Sequence, residues 1–463
     1  MSAKITIIGG GIAGLTAAFH LKRAGMEVVL LEKSNRVGGA IHTIEESGFQ
    51  SELGPNTVLE TSPKVTELIK DSGLEDDRIY ANDSSQNRYI VRNKKPQPLA
   101  MSPKAFIGSP LFSWKAKMRI IGDLFIPAWD NSYEENLSQF VIRRLGKEFL
   151  DYAINPFVAG VYAGDPDKLS VKHGFPKLYE LEQKYGGIFK GQIKGARERK
   201  KSAETAKQNA RMFSFKNGLK MLPERLGELL GEGLIKNATV TQISKTEKSW
   251  KVVYNDKDQK THNVKSDAIL YAGRACDLNN LKLANNVPNE FGDLASIYHP
   301  PVSVISLGFK KSSVEDPLNG FGVLIPKIEK FNILGVLYSS TLFSNRAPKD
   351  HVLLTIFAGG SRQPEIALKD DTELEEVVIA DIRTILGLRD DPVYTNIVRW
   401  NKAIPQYQVG YGKYKKIILD LEKNNQGLFF TGNYRNGISV ADTIVNATES
   451  AESITTYFKD NLI

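Results

Sequence analysis

Short apolar and β-branched runs alternate along this chain with segments of helical period. Ile5, Thr6, Ile7 and Ile8 read as a strand buried on both faces. A helix opening near Gly11 and a second strand, Val28 to Leu31, complete a βαβ unit within residues 4–39. Residues 61–86 read as helical and polar, with Thr61 and Ser62 as N-cap candidates before Pro63. Asn87 to Val91 reads as a strand. Leu137, Phe140, Val141, Leu145 and Phe149 share one face of a single helix expected over 133–152. The run from Asn155 to Pro166 is expected to break helix. Ala238 to Ile243, Trp250 to Tyr254 and Ala268 to Tyr271 read as strands returning to the first unit. Val302 to Phe309, Gly322 to Ile325, Ile333 to Tyr338 and Val352 to Phe357 read as a second, mainly apolar sheet, followed by a helix over 373–386. Near the end, Gly427 to Phe430 is a strand closing in a glycine turn, and a last helix starts after Gly437.

Composition narrows the class. At 463 residues, with 41% apolar and 25% charged positions, the chain is a multi-domain globular protein. A net charge of +8 and a pI near 9.1 suit an anionic partner. The one cysteine, Cys276, excludes an internal disulfide, and no Cys/His cluster has metal spacing, so no metal is expected. The first strand begins by residue 4, leaving no room for a leader, and no apolar run spans a bilayer. The expected location is cytoplasmic.

The candidate chemistry begins at Gly9, Gly11 and Gly14, which keep the GxGxxG spacing after a strand and before a helix. Such glycines allow a tight turn, a close approach to a pyrophosphate, and close helix–strand packing. Ile12 and Ala13 open the helix, whose free N–H groups face the phosphates. Glu32 closes the second strand, where its carboxylate can accept from both ribose hydroxyls, with Lys33 beside it. Arg36, Gly38 and Gly39 follow, and a second glycine pair suits a pyrophosphate gripped from both sides. This pattern resembles FAD-binding flavoproteins of the amine oxidase type more than NAD dehydrogenases. Further cofactor candidates are the turn Gly54-Pro55-Asn56-Thr57, Val240 on the adenine side, Trp400, and the last βα unit with Gly432, Asn433, Ser439 and Val440.

Two stretches stay open on pattern alone. Residues 94–130 interleave Phe106, Ile107, Phe112, Trp114, Phe125 and Trp129 with Lys104, Lys115, Lys117 and Arg119. This suits either a helical core or a face lying on a membrane. Residues 190–220 are strongly basic, which suits a solvated helix or loop, or anionic lipid. Few aromatics interleave with those charges, so nucleic acid is not expected.

Across nearly the whole chain the sequence resembles the oxygen-dependent protoporphyrinogen oxidase family. The motifs are Ser85 to Ile90 (SQNRYI), Pro156 to Ser170 (PFVAGVYAGDPDKLS), SFKNGLKMLPERL, Gly320 to Pro326 (GFGVLIP), Leu334 to Pro348 (LGVLYSSTLFSNRAP), Trp400 to Gly410 (WNKAIPQYQVG) and TGNYRNGISVADTI. The resemblance implies an α/β fold: a discontinuous Rossmann-like FAD-binding domain (1–86, 222–295 and 391–463), a mixed-sheet substrate domain (87–91, 212–221 and 296–390), and a helical membrane-associated domain (92–211). It implies that Arg88 pairs with a substrate propionate, that Leu324 and Leu337 sandwich a pyrrole ring, and that Phe357 lies on the opposite face. It places Gly160 or Gly164, in the GVYAG turn, near the substrate. The implied reaction oxidises a porphyrinogen, protoporphyrinogen IX or coproporphyrinogen III, to the porphyrin in heme biosynthesis. Six electrons pass through non-covalent FAD to O2, giving H2O2, and no catalytic base is assigned. A peripheral position on the inner face of the cell membrane is implied, and a homodimer is left open. Two rival readings remain: a flavin amine oxidase recruiting Tyr407 and Tyr434 as a cage, and a flavoprotein that only binds porphyrins.

Overall fold

The structure, a computed structural model, describes residues 2–100, 102–194, 210–247, 249–284 and 291–461. Its centre is a five-stranded parallel sheet. Strand β1 (Lys4–Ile8) lies between β2 (Glu27–Leu31) and Ala268–Tyr271, with Leu234–Ile235 and Leu428–Phe430 at the edges. Ile5 and Ile7 point into one core, packed with helix α1 (Ile12–Arg23), the helix Met221–Leu230 and the C-terminal helix Val440–Asn461. Ile8, Leu31, Ile269 and Tyr271 point into another, packed under Trp250 and Val252. Strands buried on both faces carry such continuous apolar runs. Of the three strands expected to return to the first unit, Ala268–Tyr271 joins this sheet and the other two pack over its face. Trp250–Asn255 pairs with Thr239–Lys245 on one side and Thr261–Ser266 on the other, in a separate, mainly antiparallel sheet that covers one face.

A seven-stranded sheet stands beside this layer, in the order Tyr394–Trp400, Val302–Lys310, His351–Gly359, Ile333–Leu337, Gly322–Leu324, Tyr89–Arg92, Lys95–Pro98. Its register sets two faces. Val323, Val336, Ile356, Ile305 and Ile397 lie in one row across five strands. They pack against Leu374, Val378 and Ile382 of the helix Asp371–Leu386. The opposite face is uneven, with one row of Ile90, Leu324, Gly335, Phe357, Val304 and Val398. The next row is Gly322, Leu337, Thr355, Ser306 and Asn396.

Three local expectations need correction. The helix expected over 133–152 ends at Leu145, because Gly146 takes φ +92°, outside the helical region. The run from Asn155, expected to break helix, is itself helical. Lys147–Phe149 passes through a wide π turn, Leu150–Ile154, into the helix Asn155–Tyr162. Pro156 sits just inside that helix, and the wide turn before it relieves the ring's clash with the preceding carbonyls. The helix stops at Ala163, a left-handed residue at φ +48°. Residues 61–86 are α-helical only over Pro63–Asp71, with single 3-10 turns at Glu75–Asp77 and Asp83–Gln86; Arg78–Tyr80 is a strand paired with Met212–Phe215. A partner some 130 positions away decides that strand, not its own period.

The helical part around residues 103–194 is held by buried charge. Arg144 and Asp123 are fully buried and 3.0 Å apart, and Glu182 pairs with both Arg144 and Arg143. Most of the basic segment, Arg197, Arg199, Lys200, Lys201 and Lys207, lies outside the described residues.

Candidate active site

The first glycine turn is built for close approach. A Cβ placed on Gly11 would meet nothing within 4 Å, whereas one on Gly14 would stand 2.0 Å from the Gly9 carbonyl oxygen. Space is therefore kept in front of Gly11, while helix and strand touch at Gly14. No side chain caps α1 at Gly11, so the N–H groups of Ile12 and Ala13 face outward at the helix start. The second glycine pair comes up against it: Gly38 N–H donates to Gly10 O at 2.8 Å, and Gly11 and Gly38 form an isolated bridge. Arg36 braces this loop by donating to the carbonyls of Val37, Gly39 and Ile41. Two opposed glycine turns over an uncapped helix start fit a dinucleotide pyrophosphate.

Glu32 is buried, and its Oε2 accepts from Gly10 N–H at 2.6 Å. Its Oε1 accepts from the backbone and hydroxyl of Ser34. A carboxylate has about four acceptor positions. Here three are spent locally, so the full capacity expected for two ribose hydroxyls is not free. Lys33 is exposed and pairs with Asp277 at 3.0 Å, so its ammonium serves the protein surface. Val240 is half-buried on the covering sheet, close to the Ala238 N–H that donates to Glu32 O at 2.8 Å.

Gly54, Pro55, Asn56 and Thr57 form a half-buried turn. It is tied to the second sheet by Trp400, whose indole N–H donates to Leu53 O at 2.7 Å, and closed by Asn56 Nδ2 to Gly54 O at 3.0 Å. Gly432 and Asn433 follow the strand Leu428–Phe430. Ser439 Oγ accepts from Asp442 N–H at 3.1 Å where Val440 begins the last helix. Tyr407 clamps that loop, donating to Asn433 O at 2.8 Å and accepting from Gly437 N–H at 3.0 Å. Tyr407 and Tyr434 are both buried, and desolvation holds both phenols above their ordinary pKa. They are structural here and do not form an open aromatic cage for an amine.

Leu324, Leu337 and Phe357 are the half-exposed apolar positions in otherwise buried strands, all on the uneven face of the seven-stranded sheet. Arg88 lies two residues before Ile90 on that face. Its guanidinium sits 5.6 Å over the Phe321 ring. Its Nε is buried without a partner, and among the described residues it makes no ion pair. Burial holds its pKa below the usual arginine range. A half-buried cation without an acid is a ready acceptor of a ligand carboxylate.

The helix Asn155–Tyr162 crosses these strands. A Cβ on Gly160 would stand 2.3 Å from Leu324 Cδ2, and Gly160 is exposed. Gly164 is buried, and a Cβ there would meet Gln406 Oε1 at 2.7 Å. Of the two glycines, Gly160 is the one open beside Leu324. Phe157 and Val161 flank it on the same helical face, 41% and 44% exposed. Sequence reasoning missed both, although PFVAGVY is an apolar run of helical spacing; Pro156 argued against a helix.

Comparison with known proteins agrees with this geometry. The pattern of the flavin containing amine oxidoreductase family matches residues 12–455. Protoporphyrinogen oxidase 2, chloroplastic/mitochondrial, of Arabidopsis thaliana is 34% identical over 482 residues, covering 98% of this chain and 94% of that protein. Coproporphyrinogen III oxidase of Bacillus subtilis (strain 168) is 28% identical over 472 residues, covering 98% of each. A solved structure from Exiguobacterium sp. 255-15, provisionally named a protoporphyrinogen oxidase, matches with a TM-score of 0.80 at 23% identity, covering 98% of this chain and 99% of that one. A glycine-built dinucleotide cradle, an unpaired arginine beside an apolar sheet face, and full-length relatives above 30% identity place the chain in the flavin containing amine oxidoreductase family, among its protoporphyrinogen oxidases.

Proposed function

We propose that the chain oxidises a porphyrinogen, protoporphyrinogen IX or coproporphyrinogen III, to the porphyrin with O2 as final acceptor and H2O2 as product. The carrying observation is Arg88, a half-buried guanidinium without an acidic partner beside Leu324, Leu337 and Phe357. A porphyrinogen is a large apolar ring with anionic edges, and apolar walls with one cation match it. FAD, when bound, supplies the hydride acceptor and its reoxidation by O2. Gly9, Gly11, Ile12, Ala13, Gly14, Arg36, Gly38 and Gly39 would hold its pyrophosphate and Glu32 its ribose. The turns Gly54–Thr57 and Gly432–Val440 would border the flavin.

The protein's part is binding and orientation. Arg88 holds a propionate, while Leu324, Leu337 and Phe357 fix the ring plane. The two site-facing rows contain no carboxylate and no imidazole, so no general base is assigned. Ring tautomerisation lets successive hydrides leave from one meso position. On this reading residues 1–86, 222–295 and 391–463 bind FAD, and 87–91, 212–221 and 296–390 bind substrate, except that Tyr394–Trp400 and Lys95–Pro98 are strands of the substrate sheet and Met212–Phe215 pairs with strands of the FAD part.

Within residues 92–211, the part around residues 104–125 serves a membrane surface. No helix among the described residues is long and apolar enough to cross a bilayer. Instead Trp114 and Phe125, 65% and 84% exposed, stand with Ile107, Met118 and Ile121 among Lys104 and Lys115. Such a mixture lies on anionic lipid. Trp129, by contrast, packs under Arg143 at 5.4 Å, so only one of the two expected tryptophans is available.

The test is anaerobic preparation of both porphyrinogens, admission of air with the FAD-loaded protein, and product fluorescence. Oxidation of one or both above the protein-free rate is expected. Turnover of neither overturns the reading.

A further inference from the structure

Arg362 follows the strand His351–Gly359 in a tight loop, where Ser361 N–H donates to Ala163 O at 2.7 Å. Its Nη1 donates to Asn155 Oδ1 and to Ile325 O, each at 3.0 Å. Asn155 Oδ1 also accepts from Lys327 N–H at 2.9 Å. Both of its partners are donors, which assigns the amide orientation. The Arg362 Nε is buried without a partner, and among the described residues the guanidinium makes no ion pair. Burial lowers its pKa to about 10, opposed in part by the more distant Asp165 carboxylate.

A half-buried cation without an ion-pair partner is costly. It is tolerated where its planar guanidinium does something a smaller donor cannot. Here it spans two acceptors on separate segments. Asn155 begins the helix that carries Phe157, Gly160 and Val161. Ile325 follows Leu324 in sequence, and Lys327 opens the next turn. The segments that meet at Arg362 are therefore the two that face each other across Gly160 and Leu324.

We propose that Arg362 and Asn155 are positioning residues that set the gap between the helix Asn155–Tyr162 and Leu324, and so the fit of the substrate ring. This inference rests on the porphyrinogen reading. Neither residue is required to touch the substrate.

The variants are Arg362→Met, Asn155→Ala, their double, and Asn155→Asp. KM and kcat are measured on the porphyrinogen that the unmodified protein oxidises. Porphyrin affinity is measured separately by fluorescence quenching, with FAD loading and thermal unfolding as controls. Each single variant should raise KM and weaken porphyrin binding by about tenfold, with kcat and FAD content nearly kept, because a displaced wall loosens the ring without touching the chemistry. The double should lose less than the sum of the two singles, as residues that share a contact are not additive. Asn155→Asp should keep the original KM, since a carboxylate offers the same acceptors and also pairs the cation. If Arg362→Met does not fold, the contrast of Asn155→Ala with Asn155→Asp decides alone. Unchanged KM and porphyrin affinity with only a lower Tm would overturn the proposal, as would additive losses in the double. Failure of the unmodified protein to oxidise either porphyrinogen would sink the substrate reading instead.

Discussion

Gly160 and Leu324 approach so closely that a Cβ on the glycine would stand 2.3 Å from the leucine's Cδ2. The contact joins the crossing helix to the sheet at a point that is still exposed. Cδ2 is the free end of a rotatable side chain, so Gly160→Ala forces Leu324 to turn and does not break the backbone. Overpacking of this kind costs about 1–3 kcal/mol. The variant should fold, load FAD, and show a raised KM with kcat less affected. Steady-state kinetics beside a thermal melt check it; an unaltered KM would show that Leu324 does not border the ring.

Gly11 and Gly14 should separate cofactor binding from folding. At Gly11 there is room for a side chain and the backbone φ of −73° suits any residue. Gly11→Val should therefore leave the fold and the Tm of the FAD-free protein nearly intact and abolish flavin absorbance. Gly14→Ala drives a methyl into the Gly9 carbonyl and should lower Tm even before FAD is considered. A yellow, fully loaded Gly11→Val protein would remove the pyrophosphate from this turn.

Arg88 should act on binding. A charged hydrogen bond is worth roughly 1.5–3 kcal/mol, so Arg88→Ala should raise KM by about ten- to a hundredfold. The propionate lies away from the carbon that loses hydride, so kcat should be largely kept. Arg88→Lys should recover only part of the loss, lacking the planar pair of donors. Kinetics on both porphyrinogens, with FAD content as a control, measure this; loss of FAD with unchanged KM would make the residue structural.

The exposed apolar and basic face should bind anionic vesicles in a salt-sensitive way. Flotation should fall when Trp114→Ala is combined with Lys115→Ala, and again with Phe125→Ser, which removes the most exposed large apolar side chain among the described residues, at 84%. Absence of flotation at low salt would leave this face without a lipid role.

What could be read in advance follows from the range of each interaction. The GxGxxG turn was legible because the glycines, the strand before them and the helix after them all lie within some 30 residues. Arg88, Leu324, Leu337 and Phe357 were named by resemblance; their common face emerged only from strand register, which joins residues 90, 324, 335 and 357. The local exceptions were hidden. Pro156 is compatible with a helix only because a π turn precedes it, and Arg78–Tyr80 is a strand only because Met212–Phe215 lies beside it. The bond from Arg362 to Asn155 spans 207 positions, and nothing near either residue announces the other.

The central parallel sheet has a temporal consequence. Its first two strands leave the ribosome early, but the edge strand Leu428–Phe430 and the helix that seals α1 come from the other end of the chain. At ~5–20 residues per second, roughly 400 residues of further synthesis take about 20–80 s. Through that interval the core around Ile5 and Ile7, wholly buried in the finished protein, lacks the C-terminal helix that completes its cover. The two parts of the nucleotide cradle are thus made roughly 400 residues apart, and nascent chains should depend on holding chaperones over that interval.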